Sequence, residues 1–170
     1  SSLGHLVGGT VTVPPDRGLF LEATRRLHPR VNAFVSPAFY GGRLRTHPST
    51  VVREVAGGDD LSGSGIRWRP ILHEGNAASS LEEAEEVAGI VESLVGRPWT
   101  ESSGETRPIS LQDVIVVAPY NAQVAKIQAA IERRLGEGGN VGTVDKFQGR
   151  EGIVAIYSMA SSSRDDAPRD

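Results

Sequence analysis

Residues able to bind an anionic ligand are concentrated near the end of the chain, in a Thr-x-Asp-x-Phe-Gln-Gly-x-Glu string over residues 143–151. The hydroxyl and amide of Thr143 suit a phosphate, and Gly149 permits close approach of a ligand to the backbone. The carboxylate of Glu151 can accept a sugar hydroxyl or lie near a bound metal. An apolar run at residues 153–157 follows. Open α/β folds bind ligands beside the ends of buried strands, although a plain connecting loop remains the alternative.

Two further strings carry similar chemistry. Residues 24–29 read Thr-Arg-Arg-Leu-His-Pro, and the planar guanidinium of Arg26 suits a phosphate on which charge develops. The alternative is a surface arginine, since residues 17–45 contain six arginines against one glutamate, a local net charge of +5. In residues 117–123, Tyr120 follows an apolar run and can stack on a base or line a cleft, or simply pack in a turn. Gln123 falls on the first turn of the next helix, where it can face the same cleft.

The elements that must position these residues follow from hydrophobic periodicity. The β-branched run Val114–Ala118 predicts a central parallel strand covered on both faces. Helices are predicted at three places: from Pro29 to Gly41 with Val31, Phe34, Val35 and Ala38 on its apolar face, from Leu81 to Val95 behind overlapping Ser-x-x-Glu capping boxes, and from an Asn121 cap to Leu135. The other predicted strands are 66–72, 141–144 and 153–159, and the predicted loops are 46–65 and 100–110. This order predicts an α/β fold, a mainly parallel sheet flanked by helices.

Composition excludes several classes of site. There are 18 basic and 21 acidic residues, a net charge of −3, so nucleic-acid binding would need a local basic patch. Cysteine is absent and the four histidines lie far apart, so we expect no metal site within the chain. No run approaches the ~20 apolar residues of a membrane span, and we expect a cytoplasmic protein without membrane contact.

Together the three strings resemble motifs of the superfamily 1B helicases, the Upf1/Dna2-like branch of AAA_12 type, with motif IV at residues 117–123 and motif V at 141–151. The resemblance implies a RecA-like fold of the P-loop NTPase type, and the C-terminal lobe of an ATP-dependent DNA or RNA helicase. It assigns Arg26 to the γ-phosphate of ATP. The implied nucleotide contacts are Tyr120, Gln123, Gly149 and Glu151, and the implied contacts to single-stranded nucleic acid are Thr143, Asn121 and Lys146. Residues 74–84 and 158–162 are also similar to bacterial helicases fused behind a RecB-like nuclease domain.

The departures from the family pattern are equally informative. The 170 residues contain no Gly-x-x-x-x-Gly-Lys-[Ser/Thr] string and no Asp-Glu magnesium box, which belong to the first lobe in such enzymes. We therefore expect residues 1–160 to form the second lobe, truncated before motif VI, followed by a disordered polar tail at 161–170.

On this interpretation ATP and Mg²⁺ serve the intact protein, whose first lobe lies in the same polypeptide, and the fragment alone neither hydrolyses ATP nor binds it tightly. The alternative is a non-catalytic, degenerate helicase-like binding or regulatory domain, which the net charge of −3 and the missing P-loop favour. Coding sequence on either side of the chain distinguishes the two.

Overall fold

The computed structural model describes Pro14 and residues 18–168. These divide into two compact units, one of residues up to 68 with 98–107, the other of residues 69–97 with 108 onward. Arg17 of the basic segment and residues 169–170 of the predicted tail lie outside the described residues.

The first unit is built from short strands around one helix. Its elements are β1 (Ala23–Thr24), α1 (Pro29–Tyr40), β2 (Arg45–Thr46), a 3₁₀ helix (Pro48–Thr50), β3 (Glu54–Val55), β4 (Pro98–Thr100) and β5 (Thr106–Pro108). Strands β1 and β2 pair in parallel, and β3, β4 and β5 form a second sheet in that order. Helix α1 begins where the His28 ring accepts the Arg30 N–H and Pro29 takes the first position, where no N–H is needed. It ends at Gly41, whose φ of 57° suits glycine.

The buried face of α1 differs from the predicted one. Asn32 and Ser36 are buried, whereas Phe34 of the predicted apolar face is 60% exposed. The Asn32 side chain donates to the Leu44 carbonyl at 2.8 Å, which turns this polar face inward. Pro37 neither ends nor splits the helix, which continues to Tyr40. The helix was therefore predicted correctly, but the prediction of which face is buried was wrong.

Several segments predicted as irregular or extended differ in part from the structure. Residues 46–65 and 100–110 were expected to be loops, but they contain the 3₁₀ helix and strands β3 and β5. Val55 pairs with Trp99 of β4 and bridges to Gly63, so distant partners create these short strands. Residues 66–72 alternate like a strand but form none, because no ladder partner lies beside them in the described chain. Residues 161–168 of the predicted tail are described and contain turns.

The second unit contains the predicted α/β core. Its elements are α2 (Leu81–Leu94), a 3₁₀ helix (Leu111–Asp113), β6 (Val114–Val117), α3 (Asn121–Leu135), β7 (Asn140–Gly142), a 3₁₀ helix (Val144–Phe147) and β8 (Val154–Tyr157). The sheet order is β7-β6-β8, and β6 pairs in parallel with both neighbours. Val114, Ile115 and Val116 are all buried, as expected for a strand covered on both faces of the sheet. The predicted α/β class with a parallel sheet is confirmed.

Helices α2 and α3 pack against each other through small and branched apolar side chains. The buried members are Ala84, Val87, Ala88, Val91 and Leu94 from α2 and Ile127, Ala130 and Ile131 from α3. The Leu81 side chain, predicted within the α2 stripe, is 56% exposed because it lies on the first turn. Asn121 does not cap α3: it is the first helical residue, and Tyr120 occupies the cap position.

No helix within residues 18–168 is long and apolar enough to cross a membrane; cytoplasmic location stays a prediction.

The glycine before β8 lies against the core. A Cβ at Gly152 would fall 2.9 Å from Ile115 Cδ1 and 3.0 Å from the Asp113 carbonyl oxygen. Replacing Gly152 by alanine should therefore lower the free energy of unfolding by about 1–3 kcal/mol, since the backbone oxygen cannot yield cheaply. Urea unfolding measures the change.

Gly58→Ala is the matched control, because its Cβ would meet nothing within 4 Å. That variant should unfold within about 0.5 kcal/mol of the wild type. Equal stabilities for the two variants would contradict the close approach at Gly152.

Candidate functional site at the carboxyl edge of the parallel sheet

The carboxyl ends of all three parallel strands lie in register. Val117 of β6 is paired with Gly142 of β7 and with Tyr157 of β8. The next residues, Ala118, Thr143 and Ser158, therefore leave the sheet at one edge, and the Ala118 N–H donates to the Gly142 carbonyl at 3.1 Å. In parallel α/β sheets this is the edge where ligands bind.

The segment 143–152 runs along this edge and then returns to the opposite end of the sheet. It opens with the 3₁₀ helix Val144–Phe147, stabilised by the Lys146 N–H donating to the Thr143 carbonyl at 3.1 Å. Gly149 has a φ of +80°, which favours glycine. By Ile153 the chain is back at the amino end of β6, because the Ile153 N–H donates to the Asp113 carbonyl at 2.9 Å.

An open depression lies where this segment meets the strand ends. Its lining combines aliphatic, aromatic, amide and carboxylate groups: Val117, Val144, Asp145, Phe147, Gln148 and Tyr157. Phe147 and Gln148 belong to the motif string, but the sequence indicated no role for Asp145 or Tyr157. The position of Tyr157 at the last register pair of β8 was the missing information, because that pairing is a tertiary feature.

The motif IV residues occupy three different environments. Tyr120 is half-buried just beyond β6, and its side chain makes no capping hydrogen bond. Asn121 is exposed on the first turn of α3. Gln123 is fully buried, and both ends of its amide are bonded inside the protein: Oε1 accepts the Ser80 N–H at 2.7 Å, and Nε2 donates to Ser158 Oγ at 3.0 Å. The structure thus shows Gln123 bonded to Ser80 and Ser158, and its contact with a nucleotide stays a prediction.

The motif V residues are spread along the segment. Thr143 is half-buried directly after β7, and Lys146 Nζ donates to the Val141 carbonyl at 2.7 Å, so this ammonium lies over the strand end. A Cβ at Gly142 would fall 2.3 Å from Lys146 Cδ, which explains the glycine beneath it. Gly149 is exposed with open space around its missing Cβ. Glu151 is exposed at the far end of the segment, two residues before the return to β6.

Arg26 belongs to the first unit and is exposed after β1. Its backbone N–H donates to Thr24 Oγ1 at 3.1 Å, and its carbonyl accepts from Arg53 Nη1 at 2.9 Å. Arg53 also donates to Ser102 Oγ at 2.6 Å. The turn that carries Arg26 is thus held through its backbone.

Beneath the carboxyl edge lies a buried polar ring that sequence reasoning missed. Glu83 Oε2 accepts from Ser158 Oγ at 2.5 Å and from the Ala160 N–H at 3.1 Å. Glu83 Oε1 contacts His73 Nε2 at 3.0 Å. Through Ser158 the ring continues to Gln123 and Ser80. The only signal in the sequence was the Ser80-x-x-Glu83 capping box, which would have directed the carboxylate back to the Ser80 N–H.

The capping box is only half formed. Ser80 Oγ accepts the Glu83 N–H at 3.0 Å, but the Ser80 N–H donates to Gln123, so the Glu83 carboxylate turns to Ser158 and Ala160. Burial raises the pKa of Glu83, but the hydrogen bonds from Ser158, Ala160 and His73 outweigh it and hold the pKa below its ordinary value of 4.5. Glu83 is therefore an ionised acceptor at neutral pH. Among residues 18–168 there is no group of three or more His, Cys, Asp or Glu side chains that could hold a metal ion.

A parallel sheet with helices, and with polar residues gathered at its carboxyl edge, is the arrangement of the open α/β domains, which bind their ligands at that edge. The chain matches the AAA_12 family, described as an AAA domain, over residues 11–167. The chain belongs to this family, and with it to the superfamily 1B helicases that its motifs resemble. The predicted family and its RecA-like, P-loop NTPase-type fold are confirmed.

Named relatives are consistent with this assignment. The chain is 29% identical to the DNA-binding protein SMUBP-2 of Rattus norvegicus over 85% of this chain and 15% of that protein. It is 26% identical to the DNA polymerase alpha-associated DNA helicase A of Schizosaccharomyces pombe over 85% of this chain and 23% of that protein. It is 30% identical to the 3'-5' exoribonuclease HELZ2 of Homo sapiens over 90% of this chain and 6% of that protein. The chain thus spans less than a quarter of each relative, and the fusion to a RecB-like nuclease stays a prediction.

The lowered pKa of Glu83 predicts acid sensitivity. The folded state keeps this carboxylate ionised to a lower pH than the unfolded chain does, so its stabilisation is present above pH 4.5 and is lost as the pH falls through the folded-state pKa. Glu83→Gln should cost at least about 2 kcal/mol at pH 7, since charged hydrogen bonds are lost. The difference from wild type should shrink on acidification. Urea unfolding at pH 7, 5 and 3.5 measures it.

Glu86→Gln is the control, because Glu86 lies on the same helix and pairs with Arg69 at the surface, at 2.7 Å. Its removal should cost less than about 1 kcal/mol. A stability difference between wild type and Glu83→Gln that stays constant with pH would contradict the ionised buried carboxylate.

Proposed function

We propose that this chain is the C-terminal RecA-like lobe of an ATP-dependent superfamily 1 DNA or RNA helicase. In this proposal it supplies one wall of an ATP site between two lobes and part of a track for single-stranded nucleic acid. The observation that carries the proposal is the depression at the carboxyl edge, lined by the motif V string, in a chain of this family.

The donor set of the carboxyl edge fits a nucleotide. Phe147 and Tyr157 offer aromatic faces for a base, and Gln148 offers an amide that both donates and accepts. Gly149 leaves open space beside the backbone, and Tyr120 lies beyond the same edge. We assign Gly149 and Glu151 to the ribose and phosphates, with Glu151 approaching from the far end of the segment.

Arg26 is the proposed catalytic residue. Its guanidinium would bind the γ-phosphate, where its fixed positive charge and planar fork stabilise charge that develops in phosphoryl transfer. ATP bound with Mg²⁺ supplies the phosphoanhydride whose hydrolysis drives the motor. The first lobe of the same polypeptide would supply the P-loop and the magnesium ligands, since neither string occurs in these 170 residues. We therefore propose that the chain by itself does not hydrolyse ATP.

The proposed nucleic-acid contacts are Thr143, Asn121 and Lys146. Thr143 and Asn121 lie beyond the carboxyl edge, where a hydroxyl and an amide can bond to phosphates and sugars. Lys146 contributes positive charge, although its ammonium is bonded to the Val141 carbonyl at 2.7 Å and would have to exchange that bond for a phosphate. Binding through phosphates should weaken with salt.

The decisive test is Arg26→Ala in the intact parent protein. ATP turnover stimulated by single-stranded nucleic acid should fall by about 10³–10⁵-fold, the usual effect of losing an arginine finger. Affinity for ATP should change little, because the arginine acts chiefly in the transition state. Steady-state turnover and equilibrium binding of a non-hydrolysable analogue measure the two quantities.

Arg25→Ala is the matched control, since Arg25 is the exposed neighbour of Arg26. It should keep turnover within about threefold of wild type. Near-normal turnover in Arg26→Ala would refute the assignment of the catalytic arginine. A wild-type parent protein that does not hydrolyse ATP would favour the non-catalytic alternative.

A further inference from the structure

We propose that Glu83 is a positioning residue for the nucleotide site: its ionised carboxylate fixes the backbone that leaves β8 and thereby orients Tyr157 and Tyr120 at the carboxyl edge. This inference rests on the proposed function. It adds roles for Glu83 and Ser158, which have no part in that function. The residues that carry the inference all belong to the second unit.

The polar ring closes on itself through donors of defined direction. The Ser80 N–H donates to Gln123 Oε1 at 2.7 Å, Gln123 Nε2 donates to Ser158 Oγ at 3.0 Å, and Ser158 Oγ donates to Glu83 Oε2 at 2.5 Å. The Glu83 N–H then returns to Ser80 Oγ at 3.0 Å. Because Ser158 has one hydroxyl hydrogen, its bond to Glu83 leaves it an acceptor for Gln123. If the direction of any one of these hydrogen bonds were reversed, two donors would face each other in a buried site.

The carboxylate also maintains an unusual backbone conformation. Ala160 has a φ of 69°, which residues with a Cβ adopt rarely because of steric crowding. Its N–H donates to Glu83 Oε2 at 3.1 Å, so the bond to the carboxylate offsets that cost. The direction in which the chain leaves β8 therefore depends on Glu83.

The ring members are adjacent to both tyrosines of the proposed site. Ser158 directly follows Tyr157, which lines the depression. Gln123 lies on the first turn of α3, one turn after Tyr120 at the cap position. Because Tyr120 makes no capping bond with its own side chain, the buried amide of Gln123 is the polar anchor of that helix end. Movement of the ring would move both aromatic side chains.

A second set of bonds holds the outer side of the ring. His73 Nε2 lies 3.0 Å from Glu83 Oε1, and His73 Nδ1 lies 2.7 Å from Ser162 Oγ. The Ser162 N–H donates to the Asn76 carbonyl at 2.8 Å, and Ser162 Oγ accepts the Asn76 N–H at 2.9 Å. Because an ionised carboxylate can only accept, the contact with Glu83 requires a hydrogen on His73 Nε2. Residues 73–76 are thus tied to the segment after β8.

The test is Glu83→Gln in the intact parent protein. The variant keeps the shape of the side chain, but it replaces one carboxylate oxygen with an NH₂ group. That group must then face a donor, either His73 or the pair Ser158 and Ala160, which in the wild type bonds to an oxygen. The dissociation constant for a non-hydrolysable ATP analogue should rise at least tenfold, with saturated turnover within about threefold of wild type, because a preorganised site binds at lower cost. Hydrogen exchange should accelerate in peptides covering 119–124 and 157–162 and stay unchanged in peptides of the first unit.

Two further variants make the result decisive. Glu86→Gln, on the exposed side of the same helix, should bind the analogue as wild type does. Ser158→Ala removes one hydroxyl and leaves Glu83 its bonds to Ala160 and His73. It should raise the dissociation constant about threefold, and it decides the question if Glu83→Gln does not fold.

The outcomes separate this inference from the proposed function. A wild-type parent that binds the analogue, together with ring variants that fold and bind it equally well, would overturn the positioning role alone. Exchange in Glu83→Gln that accelerates no more in peptides 119–124 and 157–162 than in the rest of the second unit would also overturn it, since the variant would then merely be less stable. A wild-type parent that binds no nucleotide would refute the proposed function, and the positioning role with it.

Discussion

A buried carboxylate accepting three hydrogen bonds holds together the end of the second unit on which the candidate site depends. An ionised carboxylate is costly to remove from water, and it is tolerated only when its lone pairs are filled. Glu83 satisfies this condition with donors from the segment after β8 and from His73. These donors come from two separate segments of the chain, so their assembly requires the packed tertiary structure. These bonds connect α2, through Glu83, to the segment that leaves β8.

The central position of β6 supplies the second constraint. Because β6 pairs in parallel with β7 and β8, all three strands end at one edge, and the chain must cross that edge and return before it can form β8. The string at 143–151 is this crossing. Three local features allow this segment to cross the edge and to return to the amino end of the sheet. They are the 3₁₀ helix, the left-handed Gly149, and Gly152, which has no Cβ to collide with Ile115. Polar groups therefore gather at the edge as a consequence of topology, and the same groups are available for a ligand.

How much of this the sequence predicted depends on whether the signal was local. The β-branched run of β6, the stripe of α2 and the helix after Tyr120 were predicted within a few residues, because each is specified by its own periodicity and end signals. The short strands β3 and β5 lie in segments that were predicted as loops, and β4 was not predicted. Two- and three-residue strands carry no periodicity, and they exist because Val55 finds Trp99 and Gly63. The alternating segment 66–72 gave the opposite error, since alternation without a partner makes no strand.

By itself the sequence determined the α/β class, the principal helices and strands of the second unit, and the family, because motif strings and hydrophobic periods are written in contiguous residues. The tertiary structure alone decided which polar residues face the edge and which are buried. Gln123 belongs to the motif and yet lies in the core, whereas Tyr157 lies outside the quoted string and lines the depression. The physical reason is that burial and hydrogen-bond partners are set by residues far apart in the chain, as the pairing of Glu83 with Ser158 and Ala160 shows.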